Sequence, residues 1–243
     1  MSPCKAPLTP DTITARFSKT GQHIPADIVL SEGTKSDYHA LARMHYRTKS
    51  PATIERTLIA KCQRTNELAG VLVTSRPTLN AAWRQIAWPG VFDRSTKSER
   101  ARRINDELRT ISRVIIDPRF RGLGIAKKLV RTYLDNPDTR CTEAVAAMGA
   151  ISPFFERAGM RHINVPEHHR DKRIRALLDE HSKSPIDLLA TPKLSAALET
   201  QLRHWARASA STRRLADGPL EIIARDAVAR LIAPIHAFAH ETH

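Results

Sequence analysis

The sequence predicts an α/β domain followed by a helical C-terminal extension, and three features carry that prediction. The first is Arg113 to Leu134, RVIIDPRFRGLGIAKKLVRTYL, in which a β-branched run gives way to a glycine turn and then to helical spacing. The second is a set of short apolar runs on either side of it, at Ile28-Val29-Leu30, Glu67 to Ser75 and Glu143 to Met148. The third is the stretch beyond Pro166, where leucines recur at helical spacing with arginines between them.

Within the central stretch, Val114, Ile115 and Ile116 have the character of a buried strand, and Asp117-Pro118 ends it because proline has no N–H for the ladder. Arg119 to Gly124 is a basic, glycine-punctuated turn. Ile125, Leu129 and Tyr133 then form the inner stripe of a helix. The first turn of a helix leaves N–H groups unpaired and carries roughly half a positive charge, so a strand, glycine turn and helix outline a phosphate site. Two common phosphate loops are excluded. GxxxxGK[ST] is absent, and Gly122-x-Gly124 is followed by Lys127 where a dinucleotide fingerprint requires a third small residue.

The same residues resemble the acyl-CoA-binding motif of the GNAT superfamily of N-acetyltransferases. In that pattern a strand ending in V-x-P precedes [RQ]-x-x-G-x-[GA]; here Ile116-Asp117-Pro118 precedes Arg121-Gly122-Leu123-Gly124-Ile125-Ala126. Downstream, Ser152-Pro153-Phe154-Phe155-Glu156-Arg157-Ala158-Gly159-Met160 is similar to the superfamily's F-Y-E-K-x-G-F helix. The resemblance implies a mixed, partly antiparallel central sheet with flanking helices, spanning about residues 26–165, and acetyl-CoA or another acyl-CoA as cofactor. It implies that Ile115, Ile116 and Asp117 offer backbone to the pantetheine arm, where two strands splay. Arg121, Gly122, Leu123, Gly124, Ile125, Ala126 and Lys127 would hold the pyrophosphate. Phe155 departs from the pattern. It stands where the superfamily often has a tyrosine whose hydroxyl protonates the leaving thiolate, and phenylalanine has no proton to give. Unassisted departure, another donor (Ser152, Tyr46 or Tyr133) and binding without transfer are the alternatives.

In chain order, residues 1–25 lack periodicity and are expected to be a loose lead-in. After the first short strand, Ser36 or Asp37 can cap a helix with Tyr38, Leu41 and His45 on one face. Ser50-Pro51 opens an expected second helix, with Ile54, Leu58 and Cys62 spaced by four. Between them, His45, Tyr46 and Arg47 combine a titratable base, a phenol and a fixed cation, suited to acid/base work or to gripping an anionic substrate; the residues alone fit core packing and compensation of a helix end better, and it is the position across the cleft from the acyl site, which the resemblance implies, that favours function. Gly70 marks a potential bulge in the strand from Glu67 to Ser75.

Residues 76–110 then form an insertion relative to a minimal domain of this kind, with a helix expected from Ser98 or Glu99 to about Leu108. Its Trp83 and Trp88, beside Arg84 and Arg94, are candidates for stacking a substrate ring, with plain core packing as the alternative. Asn136-Pro137-Asp138 is a turn before the strand from Glu143. Glu143 and His45 are candidate bases for deprotonating an amine. Cys141 is expected to be a buried, inert thiol. Residues 166–243 form the helical extension, a docked or dimer-forming element, with His240 to His243 as a frayed tail.

The chain has 243 residues with 39 Lys+Arg against 25 Asp+Glu, a net charge of +14. From Arg94 to Arg131 there are twelve Lys/Arg and only four Asp/Glu. Such charge favours anionic cofactors, nucleic acid or acidic surfaces as partners. No apolar run approaches the ~18 residues that span a bilayer, which predicts a cytoplasmic protein without membrane contact. Three widely spaced cysteines suggest reduced thiols, with neither a disulfide framework nor a metal site. Together these features lead to an acyl-CoA-dependent N-acyltransferase whose acceptor is an amine, with a nucleic-acid-linked amine (a DNA or RNA base, or aminoacyl-tRNA) favoured by charge. A Mom-like DNA-base modifier with a different donor, a non-catalytic nucleic-acid-binding module, and a small-molecule or protein N-acetyltransferase are the alternatives.

Overall fold

The computed structural model describes residues 11–17, 24–45, 50–93, 96–147, 149, 152–191, 194–233 and 235–242. The chain forms two compact units, Met1–Ile163 with Ala237–His243, and Asn164–His236.

The first unit is built on an eight-stranded sheet. Its strands are β1 (Asp11–Phe17), β2 (Ile24–Glu32), β3 (Arg56–Cys62), β4 (Leu68–Ser75), β5 (Leu108–Ile116), β6 (Cys141–Ala146), β7 (Arg161–Ile163) and β8 (His236–Glu241). The order across the sheet is β1-β2-β3-β4-β5-β6-β8-β7. Neighbours from β1 to β5 are antiparallel, β5 and β6 are parallel, and β7 and β8 are antiparallel. The mixed, partly antiparallel sheet is therefore present.

Three expectations fail in this unit. The segment expected to be a loose lead-in contributes β1, which pairs along its whole length with β2. The segment expected to form a second helix contains β3. Leu58, Ala60 and Cys62 lie in one core cluster and Ile59 in another, so a strand buried on both faces accounts for the run. Spacing by four is also twice the strand period of two, and the pattern Leu58, Cys62 fits either element. Of the expected frayed tail, His240 and Glu241 belong to β8, where the preceding Ala237, Phe238 and Ala239 are buried, and His243 lies outside the described residues. Thr242 N–H donates to Arg140 O (2.9 Å) and Arg140 pairs with Glu241, so β8 ends where β6 begins. The helical segment is thus an excursion between two strands of the sheet instead of a terminal extension.

Helices cover both faces of the sheet. Helix α1 (Lys35–Ala42) starts at Thr34, whose side chain and that of Asp37 form a reciprocal capping box. It packs Tyr38 and Leu41 on Ile59, Val71, Val73 and Ile115. In the insertion, α2 (Arg84–Ala87) is one short turn and α3 (Lys97–Glu107) begins at Thr96, close to the expected start. Helix α4 (Ile125–Asp135) lies on the other face. Its Ile125, Leu129, Val130 and Tyr133 join Leu30, Leu58, Leu72 and Ile111 in one cluster. Helix α5 (Phe154–Arg157) adds Phe155, stacked on Phe238 of β8 at 5.0 Å between centroids.

The second unit holds α6 (His169–Glu180), α7 (Ala196–Arg207) and α8 (Leu220–Ile232) around Ile174, Leu178, Leu198, Leu202, Trp205 and Ile223. Buried Asp171 accepts hydrogen bonds from Trp205 Nε1–H (2.6 Å) and Arg230 (3.2 Å). Arg170 stacks over the same indole at 4.1 Å. No helix among the described residues is long and apolar enough to cross a membrane.

Gly70 shows how closely α4 sits on the sheet. A Cβ built there would lie 2.7 Å from Ile116 Cδ1, 3.2 Å from Ile115 O and 3.4 Å from Ile125 Cγ2. Gly70→Val therefore overpacks the start of α4. It is expected to cost about 1–3 kcal/mol and to lower the melting temperature by several degrees, measured by calorimetry.

Candidate functional site

Strand β5 contains one more residue than β4 needs. Val73 pairs with Arg113 and Thr74 with Ile111, so Ser112 has no residue opposite it. Such a bulge bends a strand and increases its twist. Ile111 and Val114 accordingly both belong to the α4 face, although three positions apart. The parallel ladder between β5 and β6 covers Leu108 to Ile111 against Cys141 to Ala144 and stops at the bulge, while β5 continues to Ile116 and β6 to Ala146. Beyond Ile111 and Ala144 the two strands part.

The bulge and the register also decide which main-chain groups face the gap. Asp117 N–H donates to Ala69 O (2.9 Å), so Asp117 turns its backbone towards β4. In an antiparallel pair alternate residues face the same neighbour, so Ile115 turns that way too, while Val114 and Ile116 turn theirs to the side where β6 has left. Of the three residues expected to offer backbone to a pantetheine arm, Ile116 faces the gap and Ile115 and Asp117 do not. Val114, which sequence spacing did not single out, faces it as well.

After β5 the chain is pinned before it turns. The Asp117 carboxylate accepts from Arg119 N–H (2.9 Å) and pairs with the Arg119 guanidinium (3.0 Å), which also reaches Glu67 (2.7 Å). The hydrogen bonds from Arg119 hold the Asp117 carboxyl below its usual range, against the opposing effect of burial. Phe120 is buried in the α4 core and Leu123 packs against it. Gly122 and Gly124 take φ of 82° and 74°, a region that favours glycine.

Gly124 caps α4 without any side-chain hydrogen bond, and Lys128 N–H closes the first turn on Gly124 O (3.1 Å). The amides of Ile125, Ala126 and Lys127 therefore lie at an open helix end. A Cβ built on Gly124 would meet nothing within 4 Å, so the space before those amides is clear. Arg121 and Lys127 are exposed beside it, and Arg121 Nε also donates to Ile116 O (3.3 Å) at the edge of the gap. The residues expected at the pyrophosphate are thus gathered at one helix end, with the Ile125 side chain buried in the core.

Other candidates fare differently. His45 is half-buried, past the end of α1 and next to Met44, which packs on the cluster that contains Ile115. Tyr46 and Arg47 lie outside the described residues. Glu143 is not available as a base. Its carboxylate is buried and doubly bonded by Arg84, Nε to Oε2 at 2.8 Å and Nη2 to Oε1 at 2.7 Å, with Thr110 donating at 2.6 Å. Ser152 is exposed, and its carbonyl accepts from Phe154 N–H (2.9 Å). Trp83 and Trp88 are 9% and 2% exposed and pack on each other, with Phe92 against Trp88. Their burial removes them as stacking platforms for a substrate.

Tyr133 is eight residues beyond the start of α4, roughly 12 Å along the helix, and burial pushes its hydroxyl up to about 12. It cannot serve as the acid at the other end. Cys141 is likewise pushed up to about 12 by burial, as expected of an inert thiol. The sequence signal that was missed is Arg84. It is a charge flanked by tryptophans, and it ties the insertion to β6, while Arg161 of β7 donates to Ala87 O (2.6 Å) at the far side of α2.

Arg84→Met leaves the Glu143 carboxylate buried without its cation and is expected to cost about 3–5 kcal/mol in chemical unfolding, whereas Arg84→Met with Glu143→Leu recovers most of that loss. For Asp117, the folded state holds the carboxyl below its unfolded value of about 3.9. Its contribution is complete above that value and is lost as pH falls through the lower, folded one. The stability gap between the native protein and Asp117→Asn is expected to be flat at neutral pH and to close only below about pH 4, read from urea unfolding across pH 3–7.

No known family profile matches the chain, and no curated protein matches it. Solved structures do align with it. A protein of the yellow fever mosquito described as arylalkylamine N-acetyltransferase 7 aligns at 13% identity and a TM-score of 0.43, covering 74% of this chain and 91% of its own. A GNAT-family acetyltransferase of Listeria monocytogenes aligns at 11% identity and a TM-score of 0.38, covering 65% of this chain and 95% of its own. An agmatine N-acetyltransferase aligns at 13% identity and a TM-score of 0.35, covering 57% of this chain and 84% of its own.

Proposed function

We propose that the chain is a GNAT-type N-acyltransferase that moves an acyl group from an acyl-CoA, acetyl-CoA in the first instance, to an amine. The observation that carries this reading is the coincidence, at one end of the sheet, of the parted β5 and β6 with the open amides of α4 and the clear space before Gly124. Those residues fit the cofactor. The first amides of α4, with Arg121 and Lys127, suit a diphosphate. Val114 and Ile116 turn main-chain groups to the gap, within reach of the two amides of a pantetheine arm, with Arg121 Nε beside the Ile116 carbonyl.

Acetyl-CoA, when bound, supplies an acyl carbon activated as a thioester. The protein's part is to hold that carbon beside the acceptor nitrogen and to place backbone N–H groups at the gap where negative charge develops on the acyl oxygen. The C–N bond forms as the C–S bond breaks. His45, at the end of α1, is the group that takes the proton from the amine, directly or through water. Phe155 leaves no acid at the position next to β8, so the thiolate departs on its own modest basicity.

A nucleic-acid-linked amine is the second reading of the acceptor. The net charge of +14 and the basic run from Arg94 to Arg131 support it. The burial of both insertion tryptophans withdraws the stacking argument.

Acetyl-CoA is expected to raise the melting temperature of the native protein. Gly124→Glu, which places bulk and negative charge before the α4 amides, is expected to abolish that shift while keeping the fold by circular dichroism. The absence of any shift in the native protein would sink the cofactor assignment. Binding of duplex DNA or tRNA should weaken steeply between about 50 and 200 mM salt if nucleic acid carries the acceptor, and a flat profile rejects it.

A further inference from the structure

The bulge that parts β5 from β6 is held by a chain of hydroxyls. Ser112, the unpaired residue, has its Oγ 3.2 Å from Val73 O and 2.6 Å from Ser75 Oγ. Ser75, buried at the end of β4, donates in turn to Thr53 O (2.6 Å). Arg76 N–H donates to Thr53 Oγ1 (2.8 Å), so residue 53 is fixed to β4 through both its carbonyl and its hydroxyl. The donors account for themselves. Ser75 gives its proton to Thr53, and Ser112 gives its own to Ser75 or to the Val73 carbonyl. An extra residue disturbs the ladder of its strand, and here a side-chain hydroxyl supplies a bond beside that disturbance.

The position of this chain matters more than its bonds. Ser112 directly follows Ile111, the last residue of β5 that pairs with β6. Thr53 lies in the segment that leads from the end of α1 into β3. The two ends of the chain therefore join the backbone that opens the gap to the segment that follows His45.

We propose that Ser112 and Ser75 are positioning residues. They fix the bulge and thereby set the opening between β5 and β6 through which the cofactor's arm reaches the acyl site. This rests on the functional reading above, since it assigns the gap to the cofactor. Neither hydroxyl touches substrate. Both act through the main chain of Val114 and Ile116.

The test is calorimetric titration of acetyl-CoA into the native 243-residue chain and into Ser112→Ala, Ser75→Ala and Ser112→Thr, with Ile28→Val as a core variant matched in melting temperature. Ser112→Ala and Ser75→Ala are expected to weaken acetyl-CoA about tenfold, the effect of one hydrogen bond of ordinary strength. Ser112→Thr, which keeps the hydroxyl, and Ile28→Val should bind within about twofold of the native protein. Hydrogen exchange should quicken at Arg113 and Ile115, whose amides face β4, in the two alanine variants and not in Ile28→Val. If the native protein binds acetyl-CoA and both alanine variants bind it equally well, the proposal is overturned and the cofactor assignment stands. If the native protein does not bind it, the cofactor assignment falls first. Should Ser112→Ala fail to fold, Ser75→Ala decides the matter alone.

Discussion

One extra residue in β5, at Ser112, turns that strand away from β6 after a ladder running only from Leu108 to Ile111. The rest of the candidate site depends on that bend. A strand paired on both sides has no main-chain group to offer a ligand, because each N–H and C=O is already committed. By leaving β6 after Ile111, β5 turns Val114 and Ile116 to a side with no neighbouring strand, where Arg121 Nε reaches the Ile116 carbonyl, while β4 still holds Arg113 and Ile115 on the other. The same bend delivers the chain to Asp117, where the loop towards α4 begins.

Rigid anchors surround this opening. Asp117, Arg119 and Glu67 tie the start of the loop to β4, and Phe120 buries its middle beneath α4. Arg84 and Glu143 form a buried, bidentate pair on the neighbouring strand, with Thr110 of β5 on the same carboxylate. Desolvating two charges is costly, and a buried pair of this geometry holds only because each remaining acceptor and donor is satisfied. Its effect is to fix the insertion and β6 to each other one residue before the strands part. The glycines act differently. Gly122 and Gly124 supply the left-handed turns, and Gly70 lets α4 begin almost in contact with β4.

Much of this was legible in the chain. The run from Arg113 to Leu134 announced a strand, a glycine turn and a helix, and the inner stripe of Ile125, Leu129 and Tyr133 is fully buried. The cluster of Arg121, Gly124 and Lys127 at one helix end followed from the same run, because a turn of that length leaves its residues nowhere else to go. Long-range pairing was not legible. Leu58 and Cys62 fit a helix as well as a strand, and only the neighbours β2 and β4 decide between them. Glu143 had the composition of a base, yet Arg84, 59 positions away, claims both of its oxygens.

Neighbouring residues alone specify the elements around the glycine turn and the chemistry that turn can offer, because helix ends, proline stops and left-handed glycines act over a few residues. The tertiary structure alone decided which backbone groups are open, which carboxylates are free, and that the last strand returns beside β6. Those outcomes depend on register and on partners distant in the chain. A single residue's displacement in β5, invisible in composition or periodicity, separates a closed ladder from an open one.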